Sequence, residues 1–402
     1  MNPTNLRVLM LAHVFPRAST DPMGAFVLHL ADALAARGVH IEVIAPHAAT
    51  LADAETFGAV RVQRFHYAPA RWERLAYTGV MHELVAQSIV NKILFACFLL
   101  AFWLATLRRI VTTRPHILHA HWWMPGGWVG ALASLVTRVP LVITTHGTDV
   151  EMLRRTRWAK PLARFVFARA RAIVCVSTYL REQLLMLGVA DAARVRVVPQ
   201  PVNPLFQRST VNGQRSDTIL TVARLTRQKS IDTLIDALAL LRARGCDARL
   251  RIIGDGPERA ALEQHARNLN VHAHVEFAGA LPQAELPAHY ARAAVFVLPS
   301  IREGVGLVFV EALLCGTPVI GTASGGVTDI IRDGETGLLF PERDARALAD
   351  ALERVLSDRA LAARLAANGA AFVCERFTPE RVAAHYTEIY QRTLNNSIQL
   401  TI

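Results

Sequence analysis

Cysteine is scarce and scattered in this chain. Five residues in 402, Cys97, Cys175, Cys246, Cys315 and Cys374, stand too far apart for a CxxC pair or a ligand cluster. That argues against disulfides and against a structural zinc, and it suits a reducing compartment. The dinucleotide fingerprint GxGxxG is missing after the first apolar run, so a nicotinamide or flavin cofactor has little support. Also missing is Asp-x-Asp, the pattern that would hold a divalent metal on a diphosphate. No cofactor and no metal are therefore expected. Aromatic RNP patterns, zinc-finger spacings and basic-zipper heptads do not occur, and nucleic acid is not an expected partner. Residues 8–12 form the only apolar run near the start, too short for a signal-peptide core, so a cytoplasmic location is expected.

Against these absences stand 52% hydrophobic and 19% charged residues, enough for the cores of two or three domains. The net charge of +11 is unevenly spread: residues 1–205 hold 22 Lys+Arg against 11 Asp+Glu, and the remainder holds 22 of each. A basic half points to an anionic membrane surface or an acidic substrate once nucleic acid is set aside.

Hydrophobic patterning then gives an order of elements. Residues 6–12 read as a buried strand, 25–37 as a helix entered at Gly24, and 40–45 as a second strand, the opening of a doubly wound nucleotide-binding domain. Strands at 60–65, 116–120, 141–145 and 172–176 alternate with helical stretches at 81–111, 126–137 and 160–168, which implies a parallel sheet. Three prolines and many polar residues make 198–217 an interdomain link. A second α/β rhythm starts at 218. The expected fold is α/β, two Rossmann-like doubly wound domains (1–205 and 206–376) facing across a cleft, followed by a helix in 377–402.

Chemistry concentrates where strands end. The apolar run 295–298 stops at Pro299, and a loop with Glu303, Gly304 and Gly306 leads into a helix near Leu307 that carries Glu311. Beyond a strand's carboxyl end, such a loop and helix N-terminus can face one ligand, Glu303 near its reactive end and Glu311 near a hydroxylated part such as a ribose; a pair of ordinary surface acids is the plainer alternative. Arg224 and Lys229, just past the strand at 218–222, could neutralise a diphosphate or be a solvated charge pair. In Gly254-Asp255-Gly256-Pro257 the glycines admit a nucleotide or make a tight turn. His146, after the strand 141–145, could reach a bound sugar or serve packing. A metal on His116, His119 and His121 is disfavoured, because no carboxylate or cysteine joins them at ligand spacing.

Taken together, Glu303, seven residues, Glu311 and then ALLCGTPVIGTASGGVTDIIRDGETGLLF, with VARLTRQKS, GDGPER, HAHWWMPGG, THGTD and the FPR…MGAF loop, resemble the signature of retaining GT-B glycosyltransferases of family 4 type. The resemblance implies an acceptor-binding first domain, a second domain that binds a nucleoside diphosphate-sugar, and a last helix that returns to the first domain. It places Glu303 on donor-sugar hydroxyls, Glu311 on the ribose, Arg224 and Lys229 on the diphosphate, Gly24 against the diphosphate and His146 near the transferred sugar. Gly254, Gly306, Leu307 and Val308 join the donor site. Two departures stand out: Gly24-Ala25 replaces two glycines, and Pro201-Val202-Asn203 replaces Gly-Val-Asp. The implied activity is metal-independent hexosyl transfer in cell-surface polysaccharide or glycolipid synthesis; an NDP-sugar epimerase and a silent carbohydrate-binding protein are the rivals.

Within the helical region 81–111, the uncharged apolar stretch 93–107 spans roughly 22 Å, short of the ~30 Å hydrocarbon core, and is not expected to cross a bilayer. It reads either as a helix buried on all sides or, through Phe95, Phe98, Phe102 and Trp103, as a membrane-interface element of the basic domain. The second reading makes the protein peripheral on the inner face of the cell membrane, with an anionic lipid surface and a glycan or lipid-linked acceptor as partners.

Overall fold

The structure is a computed structural model that describes residues 6–19, 21–79, 81–206 and 217–398. Two compact units divide the chain: Met1–Pro201 with Pro379–Ile402, and Val202–Thr378. The division falls before the expected boundary at Leu205 because the Val202 N–H donates to Phe377 O at 3.0 Å, closing both ends of the second unit on each other. Residues 207–216 of the expected link lie outside the described residues.

In the first unit β1 (Arg7–Leu11), α1 (Ala25–Ala36), β2 (His40–Pro46), β3 (Ala54–Phe57) and β4 (Val60–Phe65) open the chain. Next come α2 (Met81–Gln87), α3 (Ile89–Thr113), β5 (Ile117–His121), α4 (Trp128–Thr137), β6 (Leu141–Thr145), α5 (Thr148–Arg155), α6 (Lys160–Arg169), β7 (Ala170–Cys175), α7 (Thr178–Met186) and β8 (Val195–Val197). The sheet runs β3-β4-β2-β1-β5-β6-β7-β8, parallel except for the β3–β4 edge pair. β1, β5 and β6 are buried at nearly every position, as strands covered by helices on both faces must be. β3, α5 and α7, with 4, 8 and 9 residues, are too short for their periodicity to mark them in the sequence.

The long helical region breaks at Ser88, whose hydroxyl accepts from the Asn91 N–H and caps α3. α3 has 25 residues, about 37 Å at 1.5 Å per residue, of which the uncharged stretch 93–107 makes up roughly 22 Å. Neither expectation for its faces holds completely. Leu94, Phe98, Phe102 and Ile110 are buried, with Phe65 stacked on Phe102 at 4.7 Å; Ile93, Leu100, Leu104 and Val111 on the other face are exposed. Phe98 and Phe102 are core residues, not interface residues.

The second unit holds β9 (Thr218–Val222), α8 (Ile231–Ala243), β10 (Arg249–Ile253), α9 (Arg259–Asn268), β11 (Val275–Gly279), α10 (Leu286–Arg292), β12 (Val295–Leu298), α11 (Leu307–Leu314), β13 (Val319–Thr322), β14 (Leu338–Phe340), α12 (Ala345–Ser357) and α13 (Arg359–Cys374). Its sheet is wholly parallel in the order β11-β10-β9-β12-β13-β14. The last helix, α14 (Pro379–Ile398), packs in the first unit: Val382, Ala383, Tyr386 and Tyr390 share a core with Val27, Leu30 and Leu34 of α1.

Candidate active site

Strand order reverses between β9 and β12 in the second unit and between β1 and β5 in the first. Loops on either side of such a reversal diverge and leave a crevice at the carboxyl ends of the strands. Gly24, Arg224, Lys229, Glu303 and Gly306 lie in the loops beside these reversals, whereas His146 follows β6, Gly254 follows β10 and His116 precedes β5.

In the second unit, the loop after β9 carries Arg224 and Lys229, and the loop after β12 carries Glu303. Lys229 Nζ pairs with Glu303 Oε2. The Ile301 N–H donates to Gln228 O at 2.8 Å and ties the two loops together. Behind Glu303 the chain is tight: its carbonyl accepts from the Gly326 N–H at 2.7 Å, and a Cβ on Gly325, where φ is +65°, would sit 2.4 Å from the same oxygen. Burial pushes the Glu303 carboxyl up, but Lys229 and the Gly304 N–H outweigh it and hold the group below its ordinary value. Glu303 is a positioned carboxylate. Arg224 is exposed and, among the described residues, has no ion-pair partner.

Gly306, at φ +84°, heads α11 without a side-chain cap and with no acid in the first turn. The first N–H groups of the helix, at Leu307 and Val308, are thus left to a ligand or water. Glu311, one turn on, is buried and accepts from Tyr290 Oη–H at 3.0 Å. Burial drives its carboxyl up to about 7. Tyr290, on α10, had no sequence signal. For Gly254 the chain supplies its own reason: φ is +132° and a Cβ would lie 1.8 Å from Ala223 O. The glycine is needed for β9 and β10 to end side by side.

In the first unit, Gly24 (φ +78°) heads α1, again with no side-chain cap and no acid in the first turn. The α1 residue Phe26, two positions after Gly24, has its ring centroid 4.8 Å from that of His146. His146 stands in a polar chain that sequence reading did not assemble. Gln200 Nε2 donates to His146 Nδ1 at 2.7 Å, which places the His146 proton on Nε2, 3.0 Å from His121 Nδ1. His121 then carries its proton on Nε2, buried and without a partner among the described residues; His13 Nδ1 is in the same state. Burial, with His121 and His13 nearby, holds His146 well below 6.5. It is a neutral ring.

His119, one strand position pair back from His121 with ring centroids 4.4 Å apart, bonds Thr144 Oγ1 (2.8 Å) and Tyr390 Oη (2.7 Å) of α14. His116 lies at the far end of β5, accepting from the Arg7 N–H at 3.0 Å. The alternation of His119 and His121 was the only advance sign of this network. Asp149 is buried and accepts from the N–H groups of His146, Gly147 and Val150 on Oδ1 and of Trp123 on Oδ2, all within 3.2 Å. Its carboxylate fastens the loop.

Known proteins match both units. Residues 23–201 match the family described as "Glycosyl transferase 4-like domain", and residues 204–372 match "Glycosyl transferases group 1". The chain is 31% identical over 408 residues to a D-inositol 3-phosphate glycosyltransferase of Nocardioides sp., covering 92% of this chain and 85% of that one. It is 33% identical over 290 residues to a GDP-mannose-dependent alpha-(1-6)-phosphatidylinositol monomannoside mannosyltransferase of Mycobacterium tuberculosis, covering 64% and 73%. The structure of sucrose-phosphate synthase from Thermosynechococcus elongatus superposes with a TM-score of 0.80 at 25% identity, covering 98% and 100%.

Proposed function

We propose, from the premise that this chain belongs to the GT-B glycosyltransferases of family 4 type, that it transfers a hexosyl group from a nucleoside diphosphate-sugar to a glycan or lipid-linked acceptor with retention at the anomeric carbon. The observation that carries this is the cluster at the β9/β12 reversal: Arg224, without an ion-pair partner among the described residues, and the Lys229–Glu303 pair. Arg224 and Lys229 neutralise charge that develops on the departing diphosphate, and no metal ion is needed there. Glu303 accepts from donor-sugar hydroxyls and Glu311 from the ribose. The open N–H groups at the head of α11 take phosphate oxygens.

Retention follows by a same-face route. The acceptor oxygen bonds to the anomeric carbon as the carbon–oxygen bond to phosphate breaks, and the acceptor proton passes to the leaving phosphate oxygen. Asp149, spent on four backbone N–H groups, is a poor nucleophile, and Glu303 is held on Lys229. Proton NMR of the first product formed tests this: the donor's anomeric configuration is expected. An inverted product, or a glycosyl adduct on Glu303 by intact-mass spectrometry, overturns it. Turnover lost in EDTA and restored by magnesium overturns the metal-free cradle. The relatives named are transferases, which disfavours the epimerase and the silent binder. A thermal-shift panel of UDP-, GDP- and ADP-sugars identifies the base through ligand-linked stabilisation.

The acceptor side of the proposal places the protein in the cytoplasm, docked on anionic lipid. α3 is long and apolar enough to cross a bilayer by length and composition. Its buried face, however, belongs to the core of the first unit, so its exposed face lies on the membrane instead. The whole positive excess of the chain sits in residues 1–205, which complements an anionic surface. A relative that acts on a phosphatidylinositol monomannoside is consistent with such an acceptor. Liposome flotation should show binding that needs anionic lipid and weakens in salt; wild type left in the soluble fraction at low salt refutes the docking.

A further inference from the structure

At the outer side of the first unit's sheet, three side chains outside the donor machinery converge. The β2–β4 pairing sets Pro46 opposite Phe65, so His47 and His66 leave the sheet side by side, their ring centroids 3.8 Å apart. The His47 N–H donates to Phe65 O at 2.9 Å and keeps them in step. Glu73, just past the single turn Ala70–Trp72, brings Oε2 to 2.6 Å from His47 Nδ1 and Oε1 to 3.1 Å from His66 Nδ1. Its Oε1 also accepts from the Tyr67 N–H at 3.2 Å.

The outer ring nitrogens are the informative ones. His47 Nε2 lies 2.8 Å from Leu51 O, and His66 Nε2 lies 2.9 Å from Asp53 Oδ1. A carbonyl only accepts, so His47 Nε2 must carry a proton, and the Asp53 carboxylate fixes the same tautomer on His66. Both rings therefore turn Nδ1 toward one carboxylate while a carbonyl or carboxylate holds the other N–H. That is how proteins orient histidines that ligate metals. Hydrogen bonding alone would need a proton in each Nδ1 contact, from two imidazoliums on one carboxylate or from one imidazolium beside a protonated Glu73.

We propose that His47 Nδ1, His66 Nδ1 and the Glu73 carboxylate bind a divalent transition-metal ion, with zinc the ion that the donor set fits and water in the fourth position. The three ligand atoms lie within 4.8 Å of one another. Bonds of ~2.0–2.1 Å at tetrahedral angles separate ligands by roughly 3.3 Å, so small side-chain rotations suffice. Two imidazoles disfavour calcium and magnesium, which take oxygen ligands. Glu73 and His47 are 0% and 8% exposed at the side chain while His66 is 47% exposed, which leaves an entry path on the His66 side. Cysteine scarcity argued against zinc, but this donor set contains no cysteine. The ion would bind the ends of β2 and β4 to the following loop, a structural role separate from the diphosphate cradle.

The test uses the full chain without a histidine tag, stripped with EDTA and titrated with zinc by calorimetry, with metal content measured after gel filtration. One zinc per chain and a Tm raised by zinc are expected. His66→Ala and Glu73→Gln should lose the retained zinc and the Tm response, and Asp53→Ala should weaken affinity about 10-fold. His66 is half-exposed, so His66→Ala should match the metal-free wild type in Tm and circular dichroism even if Glu73→Gln fails to fold. Wild type that retains no zinc, or His66→Ala that retains it at full affinity, overturns the site; the second result would point to adventitious binding at other histidines.

Discussion

Lys229→Ala separates the two tasks given to that ammonium. Lys229 and Glu303 are 21% and 16% exposed at the side chain, so removal of the lysine leaves a mostly desolvated carboxylate without its counter-ion. One-sided loss of a fully buried pair costs about 3–5 kcal/mol, and the remaining solvent access reduces that to about 2 kcal/mol here. Turnover should fall further, by about 10²–10³-fold, because a stabiliser of the leaving diphosphate is lost as well. Adding Glu303→Gln removes the orphaned charge, so the double variant should regain most of the stability and none of the turnover. All six tryptophans lie before residue 159. Tryptophan fluorescence therefore follows the first unit, and the loss should appear in urea unfolding by far-UV circular dichroism with the fluorescence transition unmoved. Glu303 is held below its ordinary value, so the pair's stability is present above the unfolded pKa and lost as pH falls through the folded one; Lys229→Ala should lack that acid-side loss. Stability losses that simply add in the double variant would refute the pairing as the source of the effect.

Glu311 titrates the other way: burial raises it to about 7, so the folded chain is favoured below the unfolded value and loses about 3 kcal/mol as pH rises from about 4.5 to about 7. The wild-type minus Glu311→Gln difference in stability should show that slope, and a flat difference refutes the burial. Phe98→Ser should cost about 3 kcal/mol as a core truncation, whereas Leu100→Ser and Leu104→Ser should leave Tm unchanged and reduce flotation. Gly254→Ala should destabilise the second unit by more than about 2 kcal/mol, since neither the positive φ nor the 1.8 Å approach to Ala223 O tolerates a Cβ; an unchanged circular dichroism transition would contradict it.

Reading the sequence located the Glu303 loop because an apolar run ends abruptly at Pro299 and helical spacing resumes at Leu307. Arg224 and Lys229 stand just past an apolar strand in the same way, three strands earlier in the chain. His146 was found but not its partners: Gln200 lies 54 positions away and His121 lies 25 away. His47, His66 and Glu73 went unnoticed, since spacings of 19 and 7 match no ligand pattern. On α3 the aromatic residues suggested a lipid face, yet Phe98 and Phe102 face Phe65 and the core.

What the sequence by itself determined is therefore local. Runs and periodicities over five to fifteen residues set strands, helices and the loops between them, and a loop inherits its place at a strand's carboxyl end from that order. The tertiary structure decided everything that depends on two segments arriving together. Strand register put His47 beside His66, the return of α14 put Tyr390 on His119, and burial in the second unit raised Glu311 against the opposing Tyr290 hydrogen bond. Such contacts join residues far apart in the chain, and their energies come from desolvation and geometry that exist only once both segments are packed.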